Sequence, residues 1–258
     1  LDDGHRLSLL RYRPNEGAAP RGPARRHPVV LCHGFGSTRS TWDLAPDRSL
    51  AVYLARRGFD TWVLELRAAG RSEGPSRLDT FAWTWGFDDH AREDLPLAID
   101  RVLRETGAPQ VHWVGHSMGG MLLYAYLGLF GGEHIRSGVT VGSPVAFRVL
   151  HRSYGRTMAT GWLTRLLPVV PADWGADLAR WMGIPARWEQ LLWNRANVDD
   201  AMADRLLDTG AAAFPAALAR QFFGFGRRGR FTSRDGRIDY GARLRWVRTP
   251  MLVMAGRR

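Results

Sequence analysis

The order of apolar segments predicts an α/β protein with a mostly parallel central sheet and helices on both of its faces. Over residues 1–149, short apolar runs of strand length alternate with longer segments whose apolar residues recur at helical spacing. Such alternation is typical of strands joined by helical crossovers. From 150 to 245 the apolar residues recur at intervals of three and four, which predicts a helical insert that interrupts one sheet.

Each element of the first 149 residues has its own local signal. We expect strands at 6–13, 28–32, 61–66, 111–114 and from 139, and helices at 49–57, 88–106 and 120–130. Gly58 and Gly107 follow two of the helices, as glycines often do at helix C-termini. Asp88 is expected to cap the second helix. The apolar run 28–32 is typical of a strand buried on both faces of a parallel sheet.

The C-terminal part is expected to return to the sheet. Residues 231–245 are interpreted as a return loop, and Thr249-Pro250 introduces a last strand at 251–254. The resulting division is a core over 1–149, an insert over 150–245 and a return segment over 246–258.

Composition excludes several classes of protein. The net charge is +11, but all 36 basic residues are arginines spread along the chain, with no aromatic-interleaved basic motif. We therefore expect no nucleic-acid partner and a solvated basic surface. No apolar run approaches the ~18 residues of a membrane-spanning helix. Cys32 is the single cysteine and is expected to be a buried core residue, and no metal-ligand spacing occurs.

The segment Gly115-His116-Ser117-Met118-Gly119 has the G-x-S-x-G pattern of a nucleophile elbow, with an apolar strand before it and a helix after it. In such a turn the serine hydroxyl projects above the sheet, and side chains at the two glycine positions would collide with neighbouring elements. Ser117 is therefore the predicted catalytic nucleophile. A structural turn serine is the alternative.

A second glycine motif, His33-Gly34-Phe35-Gly36, follows an earlier strand. A tetrahedral oxyanion needs two preorganised N–H donors. We expect one from the backbone of Met118 and one from that of Phe35. His33 and His116 are expected to shape the site rather than to act as the base.

Two segments, 28–72 and VHWVGHSMGG, resemble the α/β-hydrolase superfamily, and most closely bacterial serine esterases and lipases related to the acid-lipase branch. The resemblance implies the α/β-hydrolase fold, with the insert as a cap and 251–254 at the seventh strand position. Trp42-Asp43-Leu44 and 47–50 are also similar to polyhydroxyalkanoate synthases. Those carry a cysteine nucleophile, so Ser117 argues against that activity.

The resemblance also implies a triad in the order serine, acid, histidine. The acid normally follows the strand at 251–254, so we expect the acid and the histidine beyond Arg258 and this stretch, C-terminally truncated, to be inactive by itself. Residues 142–146 hold no carboxylate that could replace the acid, and Asp94 and Asp100 are expected to be structural.

The predicted function is hydrolysis of a hydrophobic carboxylic ester through an acyl-enzyme, without a cofactor or metal. The insert's aromatic residues either form the cap's own core or line an acyl pocket. They are Trp162, Trp174, Trp181, Trp188, Trp193, Phe214, Phe222, Phe223 and Phe225.

The alternatives are an acyltransferase or thioesterase on the same fold, and a non-catalytic binding protein. The partner is a small-molecule or lipid ester. The sequence starts at Leu1, without an initiator methionine, and runs directly into the first expected strand, so we expect it to be a fragment at its N-terminus and leave a signal peptide open. The compartment stays open, with the cytoplasm favoured, and so does the oligomeric state.

Overall fold

The computed structural model describes residues 4–14, 26–76, 78–147, 168–173 and 197–256. In the described chain the strands are β1 Ser8–Tyr12, β2 Val29–Cys32, β3 Thr61–Glu65, β4 Val111–His116, β5 Ile135–Val141, β6 Val169–Val170, β7 Phe214–Pro215 and β8 Met251–Met254. Six of them form the main sheet, in the order β1-β3-β2-β4-β5-β8. In this sheet β1 pairs antiparallel with β3, and the other neighbours are parallel.

Helices connect these strands. The helices of the described chain are α1 Leu50–Arg56, α2 Phe87–Asp89, α3 Leu95–Thr106, α4 Met118–Phe130, α5 Asp200–Gly210, α6 Ala216–Arg228 and α7 Tyr240–Arg243. A π-helical turn, His90–Asp94, joins α2 to α3. In the described parts of the chain, no helix has the length and apolarity that crossing a bilayer requires.

The sheet has a separate core on each face because strand side chains alternate in direction. Val30 and Cys32 face a large cluster that contains residues of α3 and α4. Val29 and Leu31 face a smaller cluster that includes Ala51 of α1. Every residue of β2 is buried, as the continuous apolar run predicted.

The 197–256 segment packs on the earlier part of the chain through a buried carboxylate. Asp88 accepts hydrogen bonds from the Gln221 amide at 2.6 Å, the Tyr240 hydroxyl at 2.8 Å and the Arg234 N–H at 2.8 Å. These donors come from α6, from α7 and from the segment between them, so one side chain joins three pieces of the 197–256 segment to α2.

The predicted α/β fold and mostly parallel sheet are confirmed, and three local predictions were wrong. Asp88 lies inside the second helix, whose N-cap is Gly86. β5 begins at Ile135 rather than 139. The prediction started too late because exposed and polar residues in the first half of the strand weaken its apolar pattern. The proposed return loop contains α7, which is capped by Asp239.

Candidate active site

Ser117 lies in the tight turn between β4 and α4 with a φ of 49° and a ψ of −115°. Among the described non-glycine residues only Ala68 also has a positive φ. Such values are sterically unfavourable for a residue with a Cβ, so the surrounding structure must hold them. The Ser117 N–H donates to the Val141 carbonyl at 2.8 Å, which ties the turn to β5. The strand–turn–helix setting predicted around Ser117 is therefore present.

The two glycines of this motif are required by close packing. A Cβ at Gly115 would lie 2.4 Å from backbone atoms of Gly119 and Gly120. A Cβ at Gly119 would lie 2.4 Å from the carbonyl oxygen of Cys32 and 2.6 Å from that of His33. The first turn of α4 thus lies directly against the C-terminal end of β2.

The two sequence motifs meet because their strands are neighbours. β2 and β4 pair in parallel with Cys32 opposite Gly115, so the residues that follow each strand lie at the same edge of the sheet. A Cβ at Gly34 would lie 3.2 Å from the Cβ of Ser117 and 3.2 Å from Nδ1 of His116. The loop that follows β2 is therefore in contact with the serine turn.

The backbone N–H groups of Phe35 and Met118, the two predicted oxyanion donors, have no acceptor within the described chain. Met118 is the first residue of α4, where N–H groups lack intrahelical partners and the helix dipole favours negative charge. The N–H groups of Gly120 and Met121 bond the Ser117 carbonyl instead, each at 3.1 Å. Among the described residues, the Ser117 hydroxyl also has no hydrogen-bond partner.

His33 holds the start of the loop as a neutral ring. Its Nδ1 lies 2.9 Å from the Gly34 carbonyl oxygen, and its Nε2 accepts the Leu66 N–H at 3.1 Å. Donation from Nδ1 and acceptance at Nε2 define one neutral tautomer. Burial lowers the pKa of His33 to about 4. Since both nitrogens are engaged, His33 positions the loop and is not available as a base.

His116 is half-buried, and its ring packs edge-on against Trp42 with centroids 6.4 Å apart. Its Nδ1 is buried without a hydrogen-bond partner in the described chain. Burial lowers the pKa of His116, so the ring is neutral near pH 7. This arrangement agrees with a site-shaping residue.

A buried ion-pair network adjoins the loop. Arg67 Nε lies 3.0 Å from Asp94 Oδ1, Arg67 Nη2 lies 2.7 Å from Glu93, and His90 Nδ1 lies 2.6 Å from Asp94 Oδ2. Burial by itself would raise the pKa of Asp94, but His90 and Arg67 outweigh it and hold the pKa below its usual value. Asp94 is thus structural, as expected, and it stays ionised beneath the site.

The ion-pair network and the His33–Gly36 loop line the same cavity. Its volume is about 20 Å³, enough for about one water. Its lining includes Gly34, Arg67, His90 and Met118. Arg67 was not predicted as part of the site, although an arginine directly after an apolar strand was an available signal.

Aromatic side chains of the insert pack on the loop. The Phe35 ring contacts Phe214 and Phe222, with centroids 4.4 Å and 4.9 Å apart, and lies 6.1 Å from Phe223. These four rings are partly exposed. Phe225, in contrast, is completely buried in the main core. The five tryptophans proposed for the pocket lie outside the described residues.

Among the described residues, no group of three or more His, Cys, Asp or Glu side chains could hold a metal ion. Asp100 pairs with Arg104 on the surface of α3, away from Ser117.

The family model for the alpha/beta hydrolase fold matches residues 27–258. The chain belongs to the α/β-hydrolase family. This α/β-hydrolase is 36% identical to human gastric triacylglycerol lipase over 123 residues, which are 46% of the chain and 30% of the lipase. It is 33% identical to the lipase lipl-3 of Caenorhabditis elegans over 131 residues, 49% of the chain and 32% of that lipase. These matches therefore span about a third of each relative.

A hydrolase structure from Pseudomonas aeruginosa matches this α/β-hydrolase with a TM-score of 0.57 at 18% identity. It covers 99% of this chain and 78% of that protein, and at this identity it shows the fold alone. The resemblance to lipases of the acid-lipase branch is confirmed. These two lipases are eukaryotic, so the expected relationship to bacterial esterases and lipases stays a prediction.

Proposed function

We propose that this α/β-hydrolase is a serine carboxylic-ester hydrolase that acts through an acyl-enzyme on Ser117. The observation that carries the proposal is the contact between the Ser117 turn and the Gly34 loop, together with the unpartnered N–H groups of Phe35 and Met118 in the described chain. Similarity to triacylglycerol lipases supports an ester as the substrate.

In the proposed reaction, Ser117 Oγ attacks the ester carbonyl carbon while its proton passes to a base. The carbonyl oxygen takes up negative charge, and the Phe35 and Met118 N–H groups donate to it. The tetrahedral intermediate collapses and the C–O bond to the alcohol part breaks. The leaving oxygen takes the proton from the base, so the product departs as an alcohol. Water, which gives a proton to the same base, then attacks the acyl carbon. The bond from that carbon to Ser117 Oγ breaks, the serine takes the proton back, and the carboxylic acid is released.

The reaction needs a base that takes the Ser117 proton. His33 is unsuitable because both of its ring nitrogens are engaged. His90 is only 1% exposed and belongs to the buried network of Asp94 and Arg67. We therefore assign the role of base to neither of these two histidines.

The proposal also covers a hydrophobic acyl group. Phe35, Phe214, Phe222 and Phe223 form a partly exposed aromatic wall beside the candidate oxyanion loop. A wall of this composition favours an alkyl or aryl chain over a sugar or a phosphate. Replacing Phe214 with alanine should lower kcat/KM for long-chain esters more than for acetate.

The test uses the full-length gene product and p-nitrophenyl esters from acetate to palmitate. Ser117→Ala should abolish turnover at every chain length. Ser143→Ala is the matched control, because Ser143 Oγ donates to the Val141 carbonyl at 3.2 Å at the same edge of the sheet. The control should remain active.

A phosphonate ester should label the wild type at Ser117, as read by peptide mass. A Ser117→Ala variant as active as the wild type would refute the proposal. A folded wild type that is inert on all the esters would favour a binding protein. Ester products formed with an added alcohol would favour a transferase.

A further inference from the structure

Two buried hydroxyl groups just beyond the His33–Gly36 loop converge on one carbonyl oxygen at the end of α5. Thr38 Oγ1 donates to the Thr209 carbonyl at 2.6 Å. Ser40 Oγ lies 3.1 Å from the same oxygen and 2.9 Å from Thr209 Oγ1. A carbonyl in the last turn of a helix has no intrahelical partner, so these hydroxyls take the place of water.

Each hydroxyl proton in this group has an acceptor. Thr38 Oγ1 also accepts the Ser40 N–H at 3.2 Å. Thr209 Oγ1 donates to the Arg205 carbonyl at 2.7 Å, so its lone pairs are a second acceptor for the single Ser40 proton, beside the Thr209 carbonyl. Thr38 and Ser40 are only 6% and 7% exposed. A buried, satisfied network of this kind restricts the segment that carries it.

The candidate oxyanion donor lies between two anchors. On the core side, Nε2 of His33 accepts a hydrogen bond from the Leu66 N–H. On the insert side, the Gly36 carbonyl accepts the Ala212 N–H at 2.9 Å, and Thr38 follows two residues later. The Phe35 peptide is thus held from both directions.

We propose that Thr38, Ser40 and the Thr209 carbonyl form a hydroxyl latch by which the insert positions the Phe35 N–H for the tetrahedral intermediate. Thr38 and Ser40 are positioning residues, since they act on the oxyanion through Phe35. The inference rests on the proposed function, because it needs an oxyanion to be formed at Ser117.

The latch predicts an effect on the transition state rather than on ground-state binding. Removing an oxyanion donor costs roughly 100- to 1,000-fold in kcat, and displacing one costs less. Thr38→Val keeps the shape of the side chain and removes its hydroxyl. It should lower kcat roughly 10-fold and leave KM within about twofold. Ser40→Ala should act in the same direction, and the double variant more strongly.

The experiment measures kcat, KM and the inhibition constant of an alkyl trifluoromethyl ketone, which forms a tetrahedral oxyanion on a serine. The full-length enzyme is used, well below the unfolding midpoint of each variant. The ketone should bind the Thr38→Val variant more weakly by the same factor by which kcat/KM falls. Thr38→Ser restores the hydroxyl and should recover wild-type values.

Thr106→Val is the matched control. Thr106 Oγ1 donates to the Val102 carbonyl at the end of α3 at 2.7 Å and accepts the Ala108 N–H at 3.3 Å. The hydroxyl chemistry is the same, but the site is at the opposite end of β4, so kcat and ketone affinity should not change.

A Thr38→Val variant with a lower unfolding midpoint, but with wild-type kcat and ketone affinity, would overturn the latch. If Thr38→Val does not fold, Ser40→Ala and Thr209→Val carry the same test. Failure of the latch is distinct from failure of the proposed function, because the latter appears as an active Ser117→Ala variant.

Discussion

Replacing Gly119 with alanine tests whether α4 must begin directly against β2. The new Cβ would lie 2.4 Å from the Cys32 carbonyl oxygen and 2.6 Å from that of His33. Since carbon normally approaches such an oxygen no closer than about 3.3 Å, the turn must move by about 1 Å. Both obstacles are backbone atoms at the end of a central strand, which cannot rotate away as a side chain could.

The structure suggests a magnitude for both stability and activity. Overpacking of this kind lowers the free energy of unfolding by about 1–3 kcal/mol. The displaced turn carries Ser117, and a misplacement of about 1 Å reduces turnover by roughly 100-fold. We therefore expect Gly119→Ala to lose activity out of proportion to its loss of stability.

The assay combines urea unfolding with kcat/KM on a p-nitrophenyl ester. Gly224→Ala in α6 is the control, because the three atoms nearest to its Cβ would all belong to the guanidinium of Arg228, with Nη1 at 2.8 Å. That flexible group can move, so alanine there should raise stability by about 0.5–1 kcal/mol. If Gly119→Ala keeps wild-type turnover and stability, the argument from close packing is wrong.

Three further predictions concern buried polar groups. Asp94→Asn should lower the free energy of unfolding by about 3–5 kcal/mol in urea titration, because it leaves Arg67 buried without its main partner. Tyr240→Phe should cost about 1–3 kcal/mol in the same assay, because it removes a hydrogen bond to the buried carboxylate of Asp88. The lowered pKa of His33 means that the unfolded state binds more protons between pH 6.5 and about 4. Stability should therefore fall by about 3 kcal/mol as the pH falls through that window, and His33→Asn should remove this part of the pH dependence in urea titrations at several pH values.

Each of these three predictions has its own control or contrary result. Arg104→Met breaks an exposed pair on α3 and should change stability by less than about 1 kcal/mol, in contrast to Asp94→Asn. A Tyr240→Phe variant as stable as the wild type would mean that Asp88 is adequately satisfied by Gln221. An unchanged pH profile in His33→Asn would assign the slope to other groups, with His116 the first to test.

The sequence by itself determined the fold class and the place of the serine turn. Both depend on local signals. The apolar run 28–32 has the length and composition of a buried parallel strand. The glycines around Ser117 are spaced as a strand–turn–helix junction requires, and the structure places that turn between β4 and α4.

The limits of local signals explain what the sequence missed. The first half of β5 carries exposed and polar residues, so its apolar pattern is weak, and pairing with β4 decides that it is a strand. The capping position before α2 was assigned to Asp88, whereas the structure uses that carboxylate to bind the 197–256 segment.

Only the tertiary structure decided which side chains support the serine turn. Arg67 and Asp94 come together because the segment after β3 meets the π-helical turn, and Thr38 meets Thr209 because α5 packs beside the segment that follows the His33–Gly36 loop. Phe222 and Phe225 look alike in the sequence, yet one lies beside Phe35 and the other is wholly buried. Contacts between residues far apart in the chain depend on how elements pack, and periodicity along one element does not encode this.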